Sequence, residues 1–288
     1  MKYWTNVFPF FYAMIFLVSC SKPIEQERRI TVTIEPQRYF AEQLAGNLFE
    51  FTAMVPPGLS PESYDPTPQQ MAQLAHSRAY FAIGKIGFEN VWLDRLKENN
   101  PQTLFFDNSE GVDWITSEPH KEHSGHHHPT EDPHIWMSPH EAQIIAHNMY
   151  RALVQLDPEN STVYQSNFEK LTAEIDEIAN EVKKYLNQAP VKSFVIYHPG
   201  LTYLARDYGL KQYAIENEGK EPSPEQLKSL IDRIKREKIR TVFIQQEFDR
   251  KNAEIIARET GCRLEPIYTL SYQWKDEIVR IAKILADE

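Results

Sequence analysis

The sequence predicts an α/β protein: two parallel-sheet α/β lobes joined by one long backbone helix. Three observations carry this. Short apolar runs alternate with helical patterns in both halves of the chain, and parallel strands need such crossovers. One uninterrupted helical stretch at residues 157–188 separates the halves. The 288 residues suffice for two lobes, each of about 130 residues.

The elements follow in order. "RITVTI" (29–34) reads as a strand, and "PQRYFAEQLAG" as a helix with Pro at its start and Gly at its end. "FEFTAMV" is the next strand. "TPQQMAQLAHS" is a helix opened by a Thr cap and Pro. "AYFAIG" and "TLFFDN" are strands on either side of the helix "NVWLDRLKEN". His147 is placed on a helix, as is His76.

Residues 157–188 break this rhythm. Phe168, Leu171, Ile175, Ile178, Val182 and Tyr185 are spaced by 3 or 4, which draws one apolar stripe. Glu and Lys fill the other positions. A helix of about 25–30 residues is about 40 Å long, enough to connect two lobes. The alternation then resumes with the strands "SFVIYH", "QYAIE", "TVFIQQE" and "RLEPIY". Between and after them run the helices "GLTYLARDYG", "SPEQLKSLIDRIKREK", "NAEIIARETG" and "KDEIVRIAKILAD".

The first twenty residues differ in kind. One Lys precedes an apolar run at 7–18, shorter than the roughly 20 residues of a membrane span. It reads as a secretory signal peptide. The run ends in "LVSC", which resembles the bacterial lipobox, so Cys20 is the expected lipid anchor. Residues 21–28 then form a tether. The expected location is extracytoplasmic and periplasmic, on a membrane-anchored lipoprotein. With Cys20 acylated, Cys262 has no partner for a disulfide and is expected as a small buried residue. The net charge of −10 argues against nucleic acid, whose phosphates need clustered Lys and Arg.

Seven of the 10 histidines fall within 120–140, "HKEHSGHHHPTEDPHIWMSPH". They are of two kinds. His126 to His128 have nothing apolar to pack on. His134 is held between Pro133 and the "IWM" run, so it can be a preorganised ligand. His198 ends an apolar strand, where open α/β sheets bind ligands; alone, it suits a structural role equally well. Glu62 sits in "VPPGLSPESYDPTPQQ", a Pro-stiffened loop between a strand and a helix. Alone, that loop reads as plain surface.

These pieces together resemble the substrate-binding lipoproteins of zinc and manganese ABC importers. The resemblance rests on "VPPGLSPESYDPTP", "IGKIGFENVWLDRL", "DPHIWMSP", the long helix, "YHPGLTYLARDYGL", "EGKEPSPEQLKSLIDRIK" and "VFIQQEFDRKNAEIIARETG", in that order. A His-rich segment before "DPH" marks the zinc-binding members. The resemblance implies one ion in the inter-lobe cleft, with Zn(II) as transported ligand and Mn(II) or iron as alternatives. It implies an ABC importer permease and its ATPase as partners, a monomer, and no enzymatic activity.

The implied metal ligands are His134 in "DPH" and His198 in "YHPG". Glu62 stands where the family usually has His, and Tyr268 where it usually has an acid. A carboxylate oxygen reaches zinc at about the distance of an imidazole nitrogen; a neutral phenol is a poor ligand. Glu247 in "QQEF" is the candidate replacement, with water as the other option. The implied lobes are 29–156, containing the His-rich loop 118–131, and 189–288. The loop is expected to collect metal at low affinity. Glu218 and Glu221 are expected to shape the cleft mouth. The competing functions are a zinc-dependent hydrolase and a metal-storing surface lipoprotein or adhesin. No H-E-x-x-H supports the first.

Overall fold

The computed structural model describes residues 27–116, 131–216 and 219–287. Cys20, most of the tether and the histidines from His120 to His128 lie outside them, as does Glu218. The first lobe runs β1 (Glu27–Val32), α1 (Glu35–Ala45), β2 (Glu50–Ala53), α2 (Pro68–Leu74), β3 (Ser77–Ala82), α3 (Gly87–Asn99) and β4 (Leu104–Asp107). Its strands are all parallel, in the order β2-β1-β3-β4. The Thr67 hydroxyl caps α2, accepting from Gln70 N, and Pro68 opens the helix.

A 3-10 turn (Ile135–Met137) leads into α4 (Pro139–Leu156), capped by Ser138. The linking helix α5 spans Ser161–Gln188, 28 residues, about 42 Å at 1.5 Å per residue. It begins four residues later than the sequence pattern suggests. Pro158 disfavours helical backbone at the residue before it, and Asp157 lies at φ −146°. The Asp157 carboxylate instead receives hydrogen bonds from Arg28, Asn160 and Tyr164. His76 is likewise off the helix, in the turn after α2.

The second lobe runs β5 (Ser193–Ile196), α6 (Thr202–Tyr208), β6 (Lys211–Ala214), α7 (Pro224–Glu237), β7 (Thr241–Gln245), α8 (Lys251–Thr260), β8 (Arg263–Ile267) and α9 (Trp274–Ala286). Its parallel order is β6-β5-β7-β8. Successive side chains of a strand point to opposite faces. Phe194 and Ile196 therefore join the core that also holds Ile30, Phe81 and the α5 stripe, while Val195 faces a smaller cluster with Ile234, Ile256 and Cys262. The Cys262 thiol is buried and donates to Ile239 O.

One core thus runs through both lobes. Two buried indoles bond across them: Trp136 Nε1 donates to Thr269 O at 2.7 Å, and Trp274 Nε1 donates to Trp136 O at 2.6 Å. No helix among the described residues is long and apolar enough to cross a membrane.

Candidate metal centre

The parallel register of the second sheet builds half of the site. Ile196 of β5 pairs with Ala214 of β6 and with Phe243 of β7. Two residues further on, the same register sets His198 beside Glu216 and Gln245. Glu216 Oε1 accepts from His198 Nδ1 at 2.6 Å. Gln245, 1% exposed, holds the His198 backbone from both ends of its amide. Its Nε2 donates to His198 O at 2.7 Å, and its Oε1 accepts from His198 N at 3.3 Å. Phe248 lies nearly parallel to the His198 ring, centroids 5.0 Å apart at 16°.

The first lobe supplies His134 at the start of the 3-10 turn, 7% exposed. Asp132 Oδ1 accepts from both its backbone N (2.9 Å) and its Nδ1 (2.8 Å). Burial alone would lower the His134 pKa. The Asp132 charge and hydrogen bond, helped by Glu62 and Glu216, more than offset that and raise it above the ordinary 6.5. Asp132 in turn is held below the usual carboxylate range: burial opposes this, but its contacts with His134 prevail.

Tyr203 ties this segment to the second lobe. Its hydroxyl donates to Asp132 O at 2.8 Å and accepts from Ile115 N at 3.3 Å. Gly200 comes close as well: a Cβ there would stand 3.3 Å from Gln245 Nε2 and 3.6 Å from His134 Cδ2.

With each imidazole neutral and its Nδ1–H on a carboxylate, a lone pair stays on each Nε2. These two nitrogens face each other at 3.1 Å. Facing lone pairs repel, and a cation between them turns repulsion into attraction. Tetrahedral zinc with Zn–N distances near 2.0–2.1 Å places two nitrogens about 3.3–3.4 Å apart. The pair is within a few tenths of an ångström of that spacing. Glu62 completes the cluster: one ligand atom from each of Glu62, His134 and His198 lies within 4.8 Å of the others. Its loop is braced on α3, where Phe88 N donates to Pro61 O at 2.7 Å. A Cβ on Gly87 would stand 2.6 Å from Glu62 Oε2 and 2.7 Å from its carbonyl oxygen, so only Gly fits there.

The three residues line a cavity of about 20 Å³ together with Ser60, Pro61, Trp136, Glu247, Phe248, Thr269 and Leu270. Glu247 is outside the three-residue cluster but on the cavity wall. Its Oε1 is buried without a hydrogen-bond partner among the described residues, and burial raises its pKa. Tyr268 is not among the lining residues. It is 41% exposed, with Arg280 over its ring at 5.7 Å. Glu221 is exposed and off the cavity wall.

The family model for the periplasmic component A of a zinc-uptake complex, ZnuA, matches residues 30–277. The chain belongs to the ZnuA family. A solved crystal structure of ZnuA is 36% identical and superposes with a TM-score of 0.83, covering 90% of this chain and 98% of its own. The manganese ABC transporter substrate-binding lipoprotein PsaA of Streptococcus anginosus is 28% identical, over 93% of this chain and 89% of its own length. The high-affinity zinc uptake system protein ZnuA of Bacillus subtilis is 24% identical, over 96% and 91%. The two-lobe fold expected from the resemblance is therefore present in this ZnuA-family chain.

Among the site residues that the sequence reading does not single out, Asp132 and Glu216 hold the two imidazoles. Each fixes the tautomer and orientation of an imidazole, and losing such a partner costs roughly 10–100-fold in metal affinity. Glu216→Ala is expected to weaken zinc binding by about that factor and to lower the ion-free melting temperature modestly, because His198 Nδ1 loses its partner. Calorimetric titration and thermal melting read the two quantities.

Proposed function

We propose that this chain is an extracytoplasmic solute-binding protein that captures Zn(II) between its lobes and delivers it to an ABC-type importer, a permease with its ATPase. The facing Nε2 pair of His134 and His198 carries the reading: one preorganised pair of imidazole nitrogen donors, a ligand type that suits zinc, contributed by two lobes. Glu62 adds a carboxylate, and Glu247 is the fourth donor. Two neutral imidazoles and two carboxylates balance a divalent ion. The unpartnered buried oxygen of Glu247 supports its part. Mn(II) is the second ion to test, because the PsaA relatives carry manganese in their names.

Cys20 is the lipid anchor in this reading, and removal of residues 1–19, which leaves Cys20 as the new first residue, precedes function. The name "lipoprotein" of the PsaA relatives supports it. The His-rich loop serves as an accessory collector outside the main site. A cell lacking this chain is expected to grow poorly under zinc limitation and to recover with added zinc. Unimpaired growth of that cell at low zinc, with no other zinc importer present, would refute the transport role.

A further inference from the structure

The cavity wall bears on which ion is kept. The cavity measures about 20 Å³, and one water needs about 10–15 Å³ of such volume. An ion held by four protein donors fits within it, whereas two or three added waters would exceed it and have to sit on the solvent side, where Glu62 is exposed. Apart from the four donors, the wall is formed by the apolar Pro61, Trp136, Phe248 and Leu270 together with Ser60 and Thr269. Trp136 packs on His134 at 5.3 Å and Phe248 on His198, so each donor imidazole has an aromatic neighbour. Phe248 stacks on His198 at 5.0 Å, and Tyr197 backs it at 5.4 Å.

The geometry points to Phe248 as a specificity-determining residue: its ring fills the space that a metal-bound water would need. It thereby limits a bound ion to the protein's own donors. Zinc accepts four nitrogen and oxygen ligands in a tetrahedron. Manganese favours six, mostly oxygen, and would draw the missing ligands from water or from the second oxygens of Glu62 and Glu247; Phe248 closes the first of these routes. Phe248 touches the donor His198 but offers no lone pair, so it acts through space and not through coordination. The inference rests on the reading of this cavity as the metal site.

The test uses the full chain and the variants Phe248→Ala and Phe248→Leu. Zinc and manganese affinities are measured by competition with a chelating dye, and the visible spectrum is recorded with Co(II) as the ion. Phe248→Ala is expected to lower the zinc-over-manganese affinity ratio at least tenfold, mainly by tightening manganese. The intense four-coordinate Co(II) bands of the parent should weaken as water enters. Phe248→Leu should shift both readouts the same way by less, and it decides the matter if melting shows that the Ala variant is unfolded. A ratio unchanged within threefold overturns the inference. So does an equal loss of both ions with the parent's Co(II) spectrum, which would mean that Phe248 only props His198. If the parent binds neither ion, or binds zinc equally well after His134→Ala, the site reading itself fails and this inference falls with it.

Discussion

Replacing His134 or His198 with Ala abolishes tight one-to-one zinc binding, while removing residues 118–130 leaves it nearly intact. The expected loss exceeds the roughly 10–100-fold that an outer carboxylate costs, because each imidazole is half of the Nε2 pair. The shorter deletion spares Glu131, which bridges to Thr116 and pairs with Lys85 at 3.5 Å. That bridge holds together the two described ends, Thr116 and Glu131. Zinc calorimetry on the three variants settles the matter. Retained tight binding in either Ala variant, or its disappearance in the deletion, would invert the assignment.

Zinc affinity falls as pH drops, and the fall starts above pH 6.5. Metal needs the Nε2 lone pair, and a proton competes for it. The His134 pKa is raised above 6.5 because Asp132, Glu62 and Glu216 outweigh burial. Below that raised value, each ion bound displaces a proton from His134, and affinity drops about tenfold per pH unit. The stability of the ion-free chain runs the other way. A folded-state pKa raised above the unfolded value contributes stability that is fully present below about 6.5 and is lost as pH rises through the folded value. The melting advantage conferred by zinc therefore narrows from both sides on acidification. Melting curves with zinc and with chelator, across roughly pH 5.5–8, test this. A zinc affinity that stays flat over that range contradicts it.

Much of the fold was legible because its punctuation is local. Thr67 with Pro68, Ser223 with Pro224, and the helix-ending Gly209 and Gly261 all act within a few residues of themselves. The start of α4 carries the same kind of signal in Ser138 and Pro139, yet the pattern reading places only His147 on a helix there. The histidine-rich run before it masks the onset of the periodicity. At the site, His134 stood out in its own motif, whereas His198 and Glu62 became candidate ligands only through the family resemblance, and the fold brings the three together. Glu216 and Gln245 were not legible, because their meeting with His198 is set by strand pairing across 18 and 47 residues. Once the order β6-β5-β7 is known, counting two residues past each paired position finds them both. Glu247 lies between these cases: the motif puts it at the end of β7, and only the folded chain turns it to the cavity wall.

The two indole hydrogen bonds across the lobes have a mechanical consequence. Trp136 is fully buried and Trp274 is 2% exposed, so swinging the lobes apart would strand two donors and two carbonyls. Wetting them loses about 0.5–1.5 kcal/mol per hydrogen bond and about 1.5–3 kcal/mol for each large apolar side chain exposed, which disfavours a wide-open form. The chain behaves as a clasp with a fixed frame and not as a pair of jaws. Its silhouette in small-angle scattering should be the same loaded and empty, and exchange of the ion falls to the short loops that carry Glu62, Glu247 and Phe248.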